Sequence, residues 1–369
     1  MKEFQIAVVV MATQMALALV MLLPKRVASN PVDNRSRWLM TAGLVLIGIQ
    51  FLTQYIGDFR STDATKAIII NIAFFIPSSA LICLSILNLQ RQGNLKTIEK
   101  WIWVPTWVIA MTLMITAAMG QDLPNEDKSS QMLLAEIISS TLYGLTQLYY
   151  SYVQVKELKR MEEVLNNYYD RHRDDLLTWM KLNVAFLALM SLLVPVVIFA
   201  SKWLLTCFGA ILFTGLFYQW TCFCRYVISS DARYMSKAEE DSTKVQNETR
   251  ENSNIITLST EIEQRIERSV NQWITNQKYL HKGLTSSDVA KEMKLPRYQL
   301  AYWIKKNGYS SYSNWVTTLR VNHAKSIIVA HPDWSNEAIA NHCGISLSHF
   351  QKVFHEQTGM TPAQYIHSV

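Results

Sequence analysis

Residues 341–355 read NHCGISLSHFQKVFH and bring His342, Cys343, His349 and His355 into one short stretch. His and Cys are the common ligands of zinc, so a metal site is the first chemistry to weigh. The five cysteines (Cys83, Cys207, Cys222, Cys224 and Cys343) include no CxxC pair, and four of them lie in apolar runs. A structural zinc module or a disulfide framework has a tighter pattern than this. The other residue with chemical potential is Glu136, the one carboxylate inside a long apolar segment. An ionisable group at membrane depth is a candidate for sensing or proton work, while a place near the end of a span also lets it reach headgroup water. No nucleophile sits beside a base and no acids pair within the spans. The sequence therefore implies no catalytic residue, no metal and no cofactor.

The elements that hold these residues fall into two halves. Apolar residues are 50% of the 369 and charged residues 17%, with a formal net charge of +6. Seven of the eight His follow position 280, while the long uncharged runs all precede 225. A membrane span needs about 20 mostly apolar residues. Seven segments meet that length: 4–23, 38–57, 67–89, 101–120, 132–155, 182–200 and 203–224. The first is read as a retained helix, because it is long for a signal peptide and shows no clear cleavage site. The expected fold is all-α, a seven-helix transmembrane bundle over 1–228 followed by a soluble helical half.

Loop charge gives an orientation. The segments 24–37, 90–100 and 156–181 hold thirteen Lys and Arg, against five (Lys2, Arg60, Lys66, Lys128 and Lys202) in the N-terminus and the other three loops. Basic loops stay cytoplasmic, which puts the N-terminus outside and everything after 225 inside. Trp38, Trp101, Trp103 and Trp203 stand at span starts, where indole rings favour the interface. Gln50, Gln54, Asn71, Gln147 and Gln219 could hydrogen-bond between helices, with plain packing the default reading because such bonds contribute only about 0.6 kcal/mol. The outer loops are short, so a signal must be small, lipidic or bound within the bundle. The mixed charges of 156–181 predict a cytoplasmic helical hairpin or helix extension with a solvated face. Residues 229–260 read as a polar linker.

The tail contains an internal repeat. AKEMKLPRYQLAYWI (290–304) aligns without a gap on ANHCGISLSHFQKVF (340–354), fifty residues later. Ala290 matches Ala340, Met293 matches Cys343, Leu295 matches Ile345, Leu300 matches Phe350 and Ile304 matches Phe354. A small residue, a turn and a second helix with apolar anchors three or four residues apart describe a helix-turn-helix. Gly344 suits the turn, and Lys294 stands there in the first copy. Pro296 fits the first turn of its helix, and Thr285 and Ser335 are cap residues. The units fall near 285–306 and 335–357, joined by a helix near 313–330. In this frame Cys343 is a small core residue, and the His and Cys spacing reflects two helices meeting at a turn.

With LRVNHAKSII (319–328), NEAIANHCGIS (336–346) and FQKVFHEQTGMTPAQY (350–365), the tail resembles the DNA-binding domain of the AraC-type transcription regulators. Two features depart: that family usually has one more residue between the turn Gly and the Phe of the second recognition helix, and KKNGYSSYSNW (305–315) in the first unit differs from the usual pattern around its Gly. The resemblance implies two helix-turn-helix units that place their second helices in successive major-groove segments. Non-anchor positions on those helices are then the DNA candidates. They are Arg297, Tyr298, Ala301, Tyr302 and Lys305 with Lys306 in the first unit, and Leu347, Ser348, Gln351, Lys352 and His355 in the second. Arg297 is the preferred base reader because Arg forks onto guanine, Gln351 pairs with adenine, and Leu347 meets a thymine methyl. Lys305 and Lys306 fit phosphate. For each, a plain solvated surface role stands beside the DNA role. Residues 255–369 carry twelve Lys and Arg and eight Asp and Glu, a net of +4 that favours phosphate binding.

The expected function is a membrane-anchored, one-component transcription regulator of a bacterial inner membrane. Its partners would be double-stranded promoter DNA, membrane lipid, a small or lipidic signal and a second copy of itself. The competing readings are a transporter or a signalling receptor with a regulatory helix-turn-helix tail.

Overall fold

The computed structural model describes residues 2–59, 64–119, 130–170, 174–197, 202–228, 231–251 and 260–368, and among them the secondary structure is helical with no strand. The chain divides into two units. The first comprises Met1–Lys159 with Asp175–Ala232, and the second Arg160–Asp174 with Arg233–Val369.

The first unit holds α1 (Lys2–Met21), α2 (Lys25–Ser29), α3 (Pro31–Gly57), α4 (Ala64–Gln90), α5 (Thr97–Trp101), α6 (Trp103–Met119), most of α7 (Ser130–Tyr168), α8 (Asp174–Val197) and α9 (Lys202–Ile228). Five segments are long and apolar enough to cross a membrane: Lys2–Met21, Pro31–Gly57, Thr65–Gln90, Thr97–Met119 and Cys207–Ile228. The expected count of seven spans is therefore not reached by this measure among the described residues. Leu177–Leu193 is a shorter apolar stretch. Helix α7 is diluted by Glu136, Ser139, Ser140, Thr141, Gln147 and Ser151.

Four of the five polar residues singled out within the spans, Gln50, Gln54, Asn71 and Gln147, bond across helices. Gln50 donates to Asn71 Oδ1 at 2.8 Å, and Gln54 donates to the same oxygen. Gln147 donates to Ser79 Oγ at 3.0 Å. Such bonds contribute about 0.6 kcal/mol each in a bundle, so they set register more than stability. Three basic segments meet at one end of the unit. Asn88 donates to Val32 O at 3.0 Å and to Ser36 Oγ at 2.8 Å. Arg91 pairs with Glu99 and, at 3.1 Å, with Glu157. Lys2 and Asp58 pair at 3.0 Å at the opposite end of α3.

The second unit contains the end of α7, then α10 (Asp231–Glu251), α11 (Thr260–Thr275), a 3-10 turn (Lys278–Leu280), α12 (Ser286–Glu292), α13 (Arg297–Lys306), α14 (Tyr312–Ala330), α15 (Asn336–His342), α16 (Leu347–Thr358) and α17 (Pro362–Ser368). Two expectations change here. The segment 231–251, read as linker, is a helix. The charged end of α7 is not simply solvated, because Met161, Leu165, Tyr169 and Asp170 are buried. Met161 and Leu165 lie one helical turn apart and form a narrow apolar stripe inside the charged segment. Residues 171–173 of that segment lie outside the described residues.

Candidate nucleic-acid interface

The repeat in the sequence is a repeat in burial. Ala290, Met293, Leu295, Leu300 and Ile304 are buried in one core, and Ala340, Cys343, Ile345, Phe350 and Phe354 in a second. Helix α14 serves both cores. Trp315 and Val316 enter the first, and Val321, Ala324 and Ile328 enter the second. One rigid helix therefore fixes the two units relative to each other. On α11, Ile266, Val270 and Trp273 join the first core, and Trp273 stacks on Trp315 at 5.4 Å.

Each unit turns through a left-handed residue. Gly344 has φ 73° and Lys294 has φ 56°, so the gapless alignment also holds for the backbone. At Gly344 a second constraint acts, since an added Cβ would lie 2.3 Å from Leu280 O. Thr285 caps α12 by accepting from Asp288 N, and Ser335 caps α15 by accepting from Ala338 N. Pro296 stands at the N-cap of α13, one position ahead of the expected first turn. Its ring lacks the N–H that would be left unpaired there.

The two recognition helices, α13 and α16, present their candidate residues differently. On α16, Leu347, Ser348, Gln351, Lys352 and His355 are all exposed. Their spacing of three and four residues makes one continuous face. On α13, Tyr302, Lys305 and Lys306 are exposed, Tyr298 and Ala301 are half-buried, and Arg297 is mostly covered. Lys306 pairs with Glu263 of α11 at 2.6 Å, and its ammonium lies 6.0 Å from the Tyr302 ring centroid. Arg297 Nε meets Asp241 Oδ2 at 2.8 Å, and its Nη2 donates to Asn167 O at 2.6 Å and to Ser286 Oγ at 2.7 Å.

Sequence reasoning did not anticipate Asn167, Asp170 and Asp241. Asp170 is buried against Arg320 of α14 at 2.7 Å, and it accepts from Gly283 N at 3.1 Å. Arg320 also donates to Tyr279 O at 2.7 Å and His281 O at 2.6 Å. The available signal was weak: Met235, Ala238, Ser242 and Val245 recur on α10 at spacings of three, four and three.

The His and Cys stretch resolves into core and surface. Cys343 is fully buried, and burial pushes its thiol up to about 12. Zinc binds the thiolate, which this environment disfavours. His342 stacks on His323 at 5.6 Å, and His355 is exposed on α16. In the first unit of the fold, Glu136 is buried on α7.

Two helix-turn-helix units on a shared helix define the class, a double helix-turn-helix DNA-binding domain. Residues 289–368 match the family model of a helix-turn-helix domain, of the AraC type. Comparison with curated proteins and with solved structures gives no match. The domain points to DNA-binding transcription regulation, a non-enzymatic function.

Proposed function

We propose that this chain is a membrane-anchored, one-component transcription regulator. The apolar helices hold it in a bacterial inner membrane, and the double helix-turn-helix domain binds promoter DNA from the cytoplasmic side. The observation that carries the reading is the exposed face Leu347, Ser348, Gln351, Lys352 and His355 on a helix whose opposite face is core. Helices that read the major groove have this design. The meeting of segments 24–37, 90–100 and 156–159 at one end of the bundle supports the orientation, because one end then collects the basic loops. Glu136 is the ionisable group we assign to signal sensing. A homodimer would place two domains on adjacent half-sites.

The test uses the full chain in detergent or a nanodisc and a random-sequence duplex library. The expected result is enrichment of a defined motif, lost in a Gln351→Ala, Lys352→Ala double variant. Recovery of unselected sequence would remove the reading's main support.

A further inference from the structure

We propose that the end of α7 and helix α10 form an intramolecular clasp on the first recognition helix. In this state α13 is held from DNA while α16 is presented. The proposal rests on the DNA-binding reading and names its regulation.

The clasp is assembled before it meets α13. Arg160 and Glu239 pair at 2.6 Å, and the Tyr169 hydroxyl donates to Tyr234 O at 3.2 Å. It is anchored below the reading helix by Asp170, buried against Arg320, and by Asp170 N donating to Leu284 O at 3.1 Å. Ser286 Oγ, in the first turn of α12, donates to Asn167 O at 2.8 Å. Over α13 itself, Arg297, Ala301 and Lys305 face Val164 and Asn167 of α7 and Ala238, Ser242 and Val245 of α10 across a cavity of about 200 Å³. Residues 297, 301 and 305 are successive turns of one helix face. Arg297 is mostly covered there and Ala301 is half-buried, while Lys305 borders the cavity and stays exposed.

The occupant fits by charge. Helix α10 carries six Asp and Glu against four Lys and Arg. Asp241 holds the guanidinium that a phosphate or a guanine edge would otherwise take. Burial also works against both charges of the pair. Burial raises the Asp241 carboxyl despite Arg297, and burial lowers the Arg297 guanidinium despite Asp241. Both clasp segments connect directly to the bundle. Helix α7 is continuous from Ser130, and α10 begins three residues after Ile228. A change in the bundle has a covalent route to the clasp.

Two variants on α10 leave both reading heads intact: Asp241→Asn, and Ala238→Glu, which puts a charge at a fully buried position. Each full-length protein is tested on duplexes enriched from a random library, for affinity and for footprint length. Release should tighten binding at least tenfold and lengthen the protected segment from about 10 to about 20 base pairs. Phenylglyoxal labelling with peptide mass spectrometry reads the clasp without DNA. Arg297 should be protected in the parent chain relative to the exposed Arg265 and Arg268, and should become reactive in both variants. Equal affinity and footprint in parent and variants overturn the clasp alone, as does an Arg297 already as reactive as Arg265. No enriched duplex from any of the proteins overturns the DNA-binding reading and the clasp with it.

Discussion

Gly344 and Lys294 occupy the same turn in the two units, yet the structure treats them differently. Both are left-handed, but only Gly344 also faces a backbone oxygen at 2.3 Å from an added Cβ. Gly344→Ala should therefore destabilise by more than about 2 kcal/mol, since the left-handed penalty alone is about 1–2 kcal/mol. Lys294→Gly should stabilise, by up to about 1 kcal/mol. Unfolding of the full chain followed by Trp fluorescence measures both. Cys343 supplies a second residue-level test. Its thiol is fully buried and pushed up to about 12, so neither access nor ionisation favours reaction at pH 8. A thiol reagent such as DTNB should leave Cys343 unmodified in the native chain and label it after denaturation. On α16, Gln351→Ala should cost about 1–3 kcal/mol of discrimination at one base pair. Lys352→Ala should instead weaken binding across all sequences and reduce the salt slope by about 1. Fluorescence anisotropy at several salt concentrations separates the two.

At the level of elements, close helix approach depends on the paired alanines. Ala340 is fully buried in the second core, so Ala340→Leu should cost about 1–3 kcal/mol by overpacking, while Asn341→Leu on the exposed side should be near neutral. Trp315 fills the first core against Trp273 and Trp303, and Trp315→Ala should cost about 3–5 kcal/mol. Thermal unfolding reports each loss. These elements were legible because burial imposes a period on apolar residues, and the fifty-residue repeat stated that period twice. The caps at Thr285 and Ser335 were legible because capping is local chemistry. Helix α10 was not, because it is mostly polar and only Met235, Ala238 and Val245 hint at a packed face. The Asp170–Arg320 pair joins residues 150 positions apart, and no local pattern encodes such a contact. The same distance hid the covering of Arg297. A residue type fit for guanine says nothing about what else packs over it. Five of the seven expected spans are long and apolar enough among the described residues, and α7 shows how polar interhelical contacts thin the apolar signal of a helix.

For the whole molecule, the division into units matters more than the order of the chain. Residues 160–174 belong with the tail, although they lie between helices of the first unit in sequence. Deleting 160–174 should therefore damage the DNA-binding domain, by stripping the Asp170 carboxylate from a buried Arg320. Removing one partner of such a pair typically costs about 3–5 kcal/mol. Limited proteolysis of the tail in the full chain would show the loss as new cleavage within 260–368. The membrane reading predicts sidedness as well. A fluorescent protein fused after residue 369 should be active in the cytoplasm, and alkaline phosphatase fused at the same place should not. The account's central claim is that a membrane-held chain binds specific promoter DNA. Genome-wide mapping of DNA cross-linked to the full-length protein in the membrane fraction tests it most directly. The account predicts a small set of promoter sites sharing one motif, lost in the Gln351→Ala, Lys352→Ala variant. Recovery of the same DNA from the variant, or of sites with no shared motif, would contradict it.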